Sequence, residues 1–295
     1  MLSSTNFWMG FAGLLYLVAG VFMLRKEFSA ARGWDRLIIM GGVFIAVPLA
    51  IFAPEHFRGP EFVGNMVPSY MPARWFWPYF IGCVLLAAAT SLTARKFVRL
   101  SSTLLGLMFF LFVCMIYLPS ALTHAKDRFG WIYALRDFSF CAGAWALAGL
   151  CSRASAPQLS KWMIVFARIV IAVAATFYGA QHFLHPQFAP GVPLELKMPP
   201  WVPLPGLWSY LAGAVLLAAG IALALNRKPR LAAASIGALM TGLTVFPYLA
   251  ILLLARGAPE FNEAINYVAD TLLYAGSALA VASALPRDPD RMAKT

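Results

Sequence analysis

The sequence predicts an all-α polytopic membrane protein: nine transmembrane helices, made of two parallel four-helix bundle repeats behind one extra helix. Three observations carry this. The 295 residues are 61% hydrophobic and only 12% charged, with a mean hydropathy of +0.74; a soluble domain is about 45–50% apolar and about 25% charged. Nine apolar runs approach the ~20 residues that a spanning helix needs. The later runs repeat the earlier ones. A soluble globular domain and a disordered chain are excluded. The net charge of +11 would suit nucleic acid if it formed a patch, but it sits in short loops, as the positive-inside bias expects.

The runs fall at 7–24, 37–55, 76–94, 100–121, 131–151, 162–183, 207–225, 231–254 and 263–284. The first is not a signal peptide, because no Lys or Arg precedes it and Arg25 and Lys26 follow it, the reverse of the secretory charge order. It is a spanning helix with its N-terminus outside. Alternate loops are then basic: Arg25 to Arg36, Arg95 to Arg99, Arg153 to Lys161, Arg227 to Arg230, and Arg287, Arg291 and Lys294. The opposite loops hold only Arg58, Arg74, Lys126, Arg128, Arg136, Lys197 and Arg256. The prediction is N-terminus outside and C-terminus cytoplasmic, in a bacterial-type plasma (inner) membrane. Arg168 lies inside the sixth run and reads as a snorkelling side chain.

The repeat is visible in register. IFAPEHFRGPEF (Ile51 to Phe62) matches FYGAQHFLHPQF (Phe177 to Phe188), aligning His56 with His182 at an offset of 126. YFIGCVLLAAA from Tyr79 matches YLAGAVLLAAG from Tyr210, and Pro119 aligns with Pro247. LRDFSFCAGAWALAG from Leu135 matches VADTLLYAGSALAVA from Val268, aligning Asp137 with Asp270 at an offset of 133. The expected units are an extra N-terminal helix (1–34), repeat one (35–155) and repeat two (156–295). An even number of helices per unit makes the repeats parallel.

At these residues the unit resembles the DoxX family of four-helix membrane proteins, most closely in repeat two: Tyr178, Gly179, His182 and Phe183, a Pro-rich outer loop from Pro186 to Pro205, a small-residue helix from Tyr210, and Phe246-Pro247. Repeat one has Glu55 where repeat two has Gln181. The resemblance implies a membrane component tied to sulfur or thiol oxidation and quinone reduction, with quinone as the implied cofactor and other membrane or periplasmic subunits as partners.

Polar groups at membrane depth are the informative ones, because they are costly there. Asp270 sits about 10 Å into the last run at 1.5 Å per residue. Starting the helix after it would leave a run too short to span, and the same test buries Asp137. Each reads as a proton carrier or as an acid bonded to a neighbouring helix. Pro119 and Pro247 predict inward-facing kinks. His182 and His185, three apart on one face, are the one metal-spaced pair; no metal is implied, and a His shuttling protons to a buried Asp is the functional alternative. The candidate catalytic set is therefore His182, Asp270, Asp137, Glu55 and His56, and the substrate-binding set Tyr178, Gln181, Phe183, Pro247, Tyr248 and Trp201. With Trp75, Trp77 and Trp208, Trp201 fits an interfacial aromatic belt. Cys83, Cys114, Cys141 and Cys151 form no CxxC pair, which argues against a dithiol engine. No nucleotide motif occurs in a suitable setting.

The favoured function is a redox-associated membrane component handling a quinone or other hydrophobic substrate in the outer half of the membrane. It predicts a lipid-open cavity joining His182 to Asp270. A non-catalytic scaffold or complex subunit is the alternative, predicting both aspartates bonded inside the bundle. A proton-driven isoprenoid or sterol-type lipid enzyme comes third. An ion transporter is disfavoured, because no polar path to the cytosol is visible.

Overall fold

The computed structural model describes residues 3–287; Arg291 and Lys294 of the basic C-terminal segment lie outside the described residues. Eight helices are long and apolar enough to cross a membrane: α1 (Ser4–Ala30), α2 (Trp34–Arg58), α3 (Phe76–Ala94), α4 (Val98–Thr123), α6 (Pro157–Leu184), α7 (Pro205–Ala224), α8 (Pro229–Leu254) and α9 (Ala258–Ala284). Between them, α5 (Arg128–Ser152) is 25 residues long. It falls short of the others in hydropathy because Arg136 and Asp137 lie inside it. The one β feature among the described residues is an isolated bridge between Phe188 and Lys197.

Local chemistry sets the helix ends. The Ser3 side chain accepts from the Asn6 N–H at 3.1 Å, and Asp127 accepts from the Phe129 N–H at 3.0 Å, each satisfying an orphan donor of a first turn. Pro157, Pro205, Pro229 and Pro259 occupy first turns, where a missing N–H is not needed. In the middle of α4 and α8 the chain opens into wide π turns, at Val113–Tyr117 and Thr244–Tyr248. Prolines explain them. Pro119 follows the first turn and Pro247 lies in the second, and the ring clashes with a carbonyl one turn back; a wider turn relieves that clash. Phe246, before Pro247, is extended at φ −145° and ψ 121°, as pre-proline sterics favour. Only one kink faces inward: Pro247 is buried, whereas Pro119 is exposed.

The two four-helix units interlock. α2 packs on α3 and α6 on α7, but the last helix of each unit leans on the first helix of the other: α5 on α6, and α9 on α2. The two last helices, α5 and α9, meet each other at the centre. α1 packs outside α2, with Gly13 under Ile51 and Gly20 under Val43. Its best apolar window is 22% buried, against 83% for α9, so α9 is the helix the fold surrounds.

Between helices in lipid, close approach depends on small side chains. A Cβ on Gly143 of α5 would lie 2.5 Å from the Cα and Cβ of Ser277 on α9. A Cβ on Gly276 of α9, its partner in the repeat, would lie 2.7 Å from the Phe44 backbone of α2. Gly143→Val is therefore expected to destabilise the protein by at least about 1–3 kcal/mol through overpacking. Gly42→Ala, at a site with nothing within 4 Å, is expected to leave the melting temperature in detergent unchanged or slightly raised. Equal melting of the two variants would refute the tight α5–α9 crossing.

Candidate functional site: two carboxylates on one guanidinium

The α5–α9 crossing carries the main buried charges. Arg136 Nε donates to Asp137 Oδ1 at 2.8 Å, and its Nη1 donates across to Asp270 Oδ2 at 2.9 Å. Nη2 faces the Tyr117 hydroxyl at 3.4 Å. Aromatic rings cage the guanidinium, with its carbon 5.0 Å from the Tyr133 centroid and 5.8 Å from that of Phe140. With both acids ionised the triad carries a net charge of −1, and an unbalanced ion in a low-dielectric interior costs several kcal/mol. A proton on either carboxylate removes the excess. The Arg136 and Asp270 side chains remain 14% and 11% exposed.

Asp270 lies deeper than the apolar run suggested. α9 begins at Ala258, which places Asp270 about 18 Å along the helix at 1.5 Å per residue. Asn262, Asn266 and Asp270 recur every four residues and so share one face of α9. Asn262 Nδ2 donates to Glu55 Oε1 at 3.4 Å. Asn266 Oδ1 is buried without a partner. A polar ladder thus descends from Glu55, near the end of α2, through Asn262 and Asn266 to the triad.

The histidines do something else. His56 Nδ1 bonds the Phe52 carbonyl at 3.0 Å, and His182 Nδ1 bonds the Tyr178 carbonyl at 2.6 Å. His182 Nε2 accepts from the Gly191 N–H at 3.1 Å, so Nδ1 carries the proton, and both nitrogens of this fully buried ring are taken by backbone. The two histidines of the metal-spaced pair therefore part company. His182 has no free nitrogen for a metal, and His185 caps the end of α6 in a non-helical conformation (φ −133°, ψ 60°). Among the described residues no three His, Cys, Asp or Glu side chains gather as a metal site would require. Partial burial and the nearby Arg128 cation lower the pKa of His185.

Where the sequence predicts a cavity between His182 and Asp270, loop backbone bonds His182 and the neighbour of Asp270. The loop from His185 to Leu204 dips inward, burying Ala189 to Leu194. Gly191 bonds His182, and the next carbonyl, of Val192, accepts from Thr271 beside Asp270 at 3.0 Å. Arg128 Nη1 donates to the Leu194 carbonyl at 3.0 Å, and Tyr133 donates to Glu195 at 2.6 Å. Neither of the two best-formed clefts is lined by the triad or by His182.

The remaining candidates divide. Tyr178 is buried and donates to the Ile132 carbonyl on α5 at 2.7 Å. Tyr248 is buried, stacks on Tyr267 at 5.8 Å and faces the Ala189 carbonyl of the loop at 3.4 Å. The Gln181 Oε1 is buried and unpartnered. Phe183 is 42% exposed and stacks on Tyr210. Trp201, 43% exposed, meets Phe246 edge-on at 6.1 Å, and Trp208 joins them at 5.9 Å.

Sequence reasoning missed Arg136, which it placed among outer-loop cations. The available signal was its position inside the run 131–151, next to an aspartate that recurs in the second repeat without it, since Ala269 precedes Asp270.

Residues 163–249, from α6 through most of α8, match the DoxX family model, so this part of the chain is DoxX-like. The matched segment contains His182, Tyr178, Trp201 and Tyr248 but none of Glu55, Arg136, Asp137 and Asp270. No curated protein and no solved structure matches the chain.

Removing the shared cation isolates the two acids. Arg136→Leu is expected to cost about 3–5 kcal/mol, and the triple variant Arg136→Leu, Asp137→Asn, Asp270→Asn is expected to regain most of the loss. Wild-type melting of the single variant in detergent would mean the triad bears no structural load.

Proposed function

We propose that the protein handles a hydrophobic, proton-exchanging substrate of the quinone class in the outer half of a bacterial-type plasma membrane, with Asp270 as the group that gives or takes the proton. The observation that carries this reading is the buried Asp137–Arg136–Asp270 triad, two carboxylates on one guanidinium, at the foot of the Glu55–Asn262–Asn266 ladder. Quinone reduction consumes two electrons and two protons. The ladder supports a route for protons carried by water, which its carboxamides would hydrogen-bond, from the end of the bundle where α2 stops and α9 starts. Another membrane or periplasmic subunit of redox function supplies the electrons. The exposed Trp201, Trp208 and Phe246 cluster offers flat apolar faces at the lipid edge of the loop, suited to a quinone ring. The predominance of basic side chains in loops at the opposite end supports a cytoplasmic position for that end and an outside N-terminus.

A second reading has an observation of its own. Both aspartates are bonded inside the bundle, and both His182 nitrogens serve the backbone, as a scaffold or complex subunit would have them.

The two readings separate in one experiment. The protein is reconstituted in nanodiscs and titrated with a short-chain ubiquinone analogue, with tryptophan fluorescence as the readout. The substrate reading expects saturable quenching, weakened about tenfold or more by Asp270→Asn, with little change in melting temperature. Absence of saturable quenching in the wild type would sink the quinone reading and leave the scaffold.

A further inference from the structure

At the end of the molecule opposite the ladder, a cleft of about 460 Å³ opens where α5 ends, α6 begins and α9 ends. Arg153, Lys161 and Arg168 line it, and among the described residues no acidic side chain does. Two of the three cations are held in place. Arg168 Nη1 donates to the Leu223 carbonyl at 3.1 Å and to Asn226 Oδ1 at 2.8 Å, at the end of α7. Arg153 donates to the Ala284 carbonyl at the end of α9. Each guanidinium keeps further N–H groups to offer, because it has five donors. Lys161 is exposed and has no hydrogen bond among the described residues. The opening turn of α6, with Pro157 and Ser160 in the wall, adds the positive end of a 28-residue helix, which favours an anion. Ile164, Val165 and Leu285 form the apolar part of the wall.

We infer that this cleft is a binding site for an anionic phospholipid, its phosphate held by Arg153, Lys161 and Arg168 and its acyl chain lying along Ile164 and Val165. Charge complementarity decides the headgroup: three cations, with no acid among the described residues that line the cleft, favour a phosphodiester that carries net negative charge over a zwitterion. Depth decides that the occupant is a lipid. Arg168 stands level with the last turn of α7, at the boundary of the apolar core, and a basic pocket between spanning helices at the cytoplasmic boundary is where an acidic headgroup is recognised. The site also joins the units, because α5 and α6 meet the end of α9 there, so a bound lipid cross-braces the interlock.

The test uses the full chain in neutral detergent, titrated separately with dioleoyl phosphatidylglycerol, dioleoyl phosphatidylcholine and inorganic phosphate. Native mass spectrometry counts bound lipid, and thermal melting reads stabilisation. Phosphatidylglycerol is expected to bind at least about tenfold tighter than phosphatidylcholine. Lys161→Gln, at an exposed side chain outside any structural bond, is expected to weaken phosphatidylglycerol about fivefold, the factor for one cation near a lipid surface, and to leave phosphatidylcholine unchanged. Arg168→Gln is expected to do the same more strongly. Equal affinity for the two lipids, or no effect of Lys161→Gln, overturns the proposal. Displacement of phosphatidylglycerol by millimolar phosphate overturns the lipid as occupant and assigns the cleft to a free anion.

Discussion

Arg136 stands between two carboxylates that the repeat makes equivalent, and the centre of the molecule is organised around that sharing. Asp137 and Asp270 occupy the same position of the two units. Because the last helices of the two units meet at the centre, the two acids arrive at the same place. A symmetric solution would bring two cations as well. Only repeat one carries the arginine, and its counterpart in repeat two is the buried Ala269. One guanidinium therefore bridges both acids, tying α5 to α9 with charge-assisted bonds in a largely buried setting. The close crossing at Gly143 and Ser277 sets the two helices near enough for one side chain to span them.

The His-Phe motif, by contrast, marks packing. In each unit the histidine bonds the carbonyl four residues back along its helix. In each, a glycine of the next helix lies against it: a Cβ on Gly82 would come within 3.0 Å of the His56 Cβ, and one on Gly213 within 3.1 Å of the His182 Cβ. Two copies of one arrangement, at α2–α3 and α6–α7, explain why the motif survives in both units while Glu55 and Gln181 differ. The indoles repeat in the same way. Trp77 Nε1 donates to the Pro72 carbonyl at 2.9 Å, and Trp208 Nε1 to the Pro203 carbonyl at 3.0 Å, so each Pro-rich outer loop is pinned to the start of the following helix.

The helices were legible in the sequence because a lipid environment leaves the backbone few options: each span must satisfy its own hydrogen bonds, and its length is fixed by the bilayer. The register proposed for the repeat rests on Asp137 with Asp270 and His56 with His182, and the two histidines make the same bond to the carbonyl four residues back. The helix ends were not legible, since caps and first-turn prolines extend helices into polar sequence; α9 starts five residues before its apolar run, which is why Asp270 proved deeper than it read. The role of Arg136 was hidden because a cation near the end of a run looks like a loop residue until the helix is seen to begin at Arg128. The occupied state of His182 was out of reach, since its second partner, Gly191, belongs to a loop whose path no periodicity describes. Which helix faces which was also out of reach, because a repeat aligns residues without saying that α5 leans on the first helix of the other unit.

That interlock changes which part of the chain a site belongs to. The resemblance is closest in repeat two, and the family match falls there. Yet repeat two alone holds neither the arginine nor Glu55, and repeat one alone holds neither the asparagine ladder nor the inward loop. Glu55 meets Asn262, Arg136 meets Asp270, and Arg128 and Tyr133 of α5 hold Leu194 and Glu195 of the loop that repeat two lays over the site. Each of these bonds crosses from one unit to the other. The groups of the proposed site are therefore divided between the two halves of the chain, with Glu55, Arg136 and Asp137 in the first and Asn262, Asn266, Asp270 and the covering loop in the second. Neither half alone brings these groups together, so a variant in one half is felt at the site through the other.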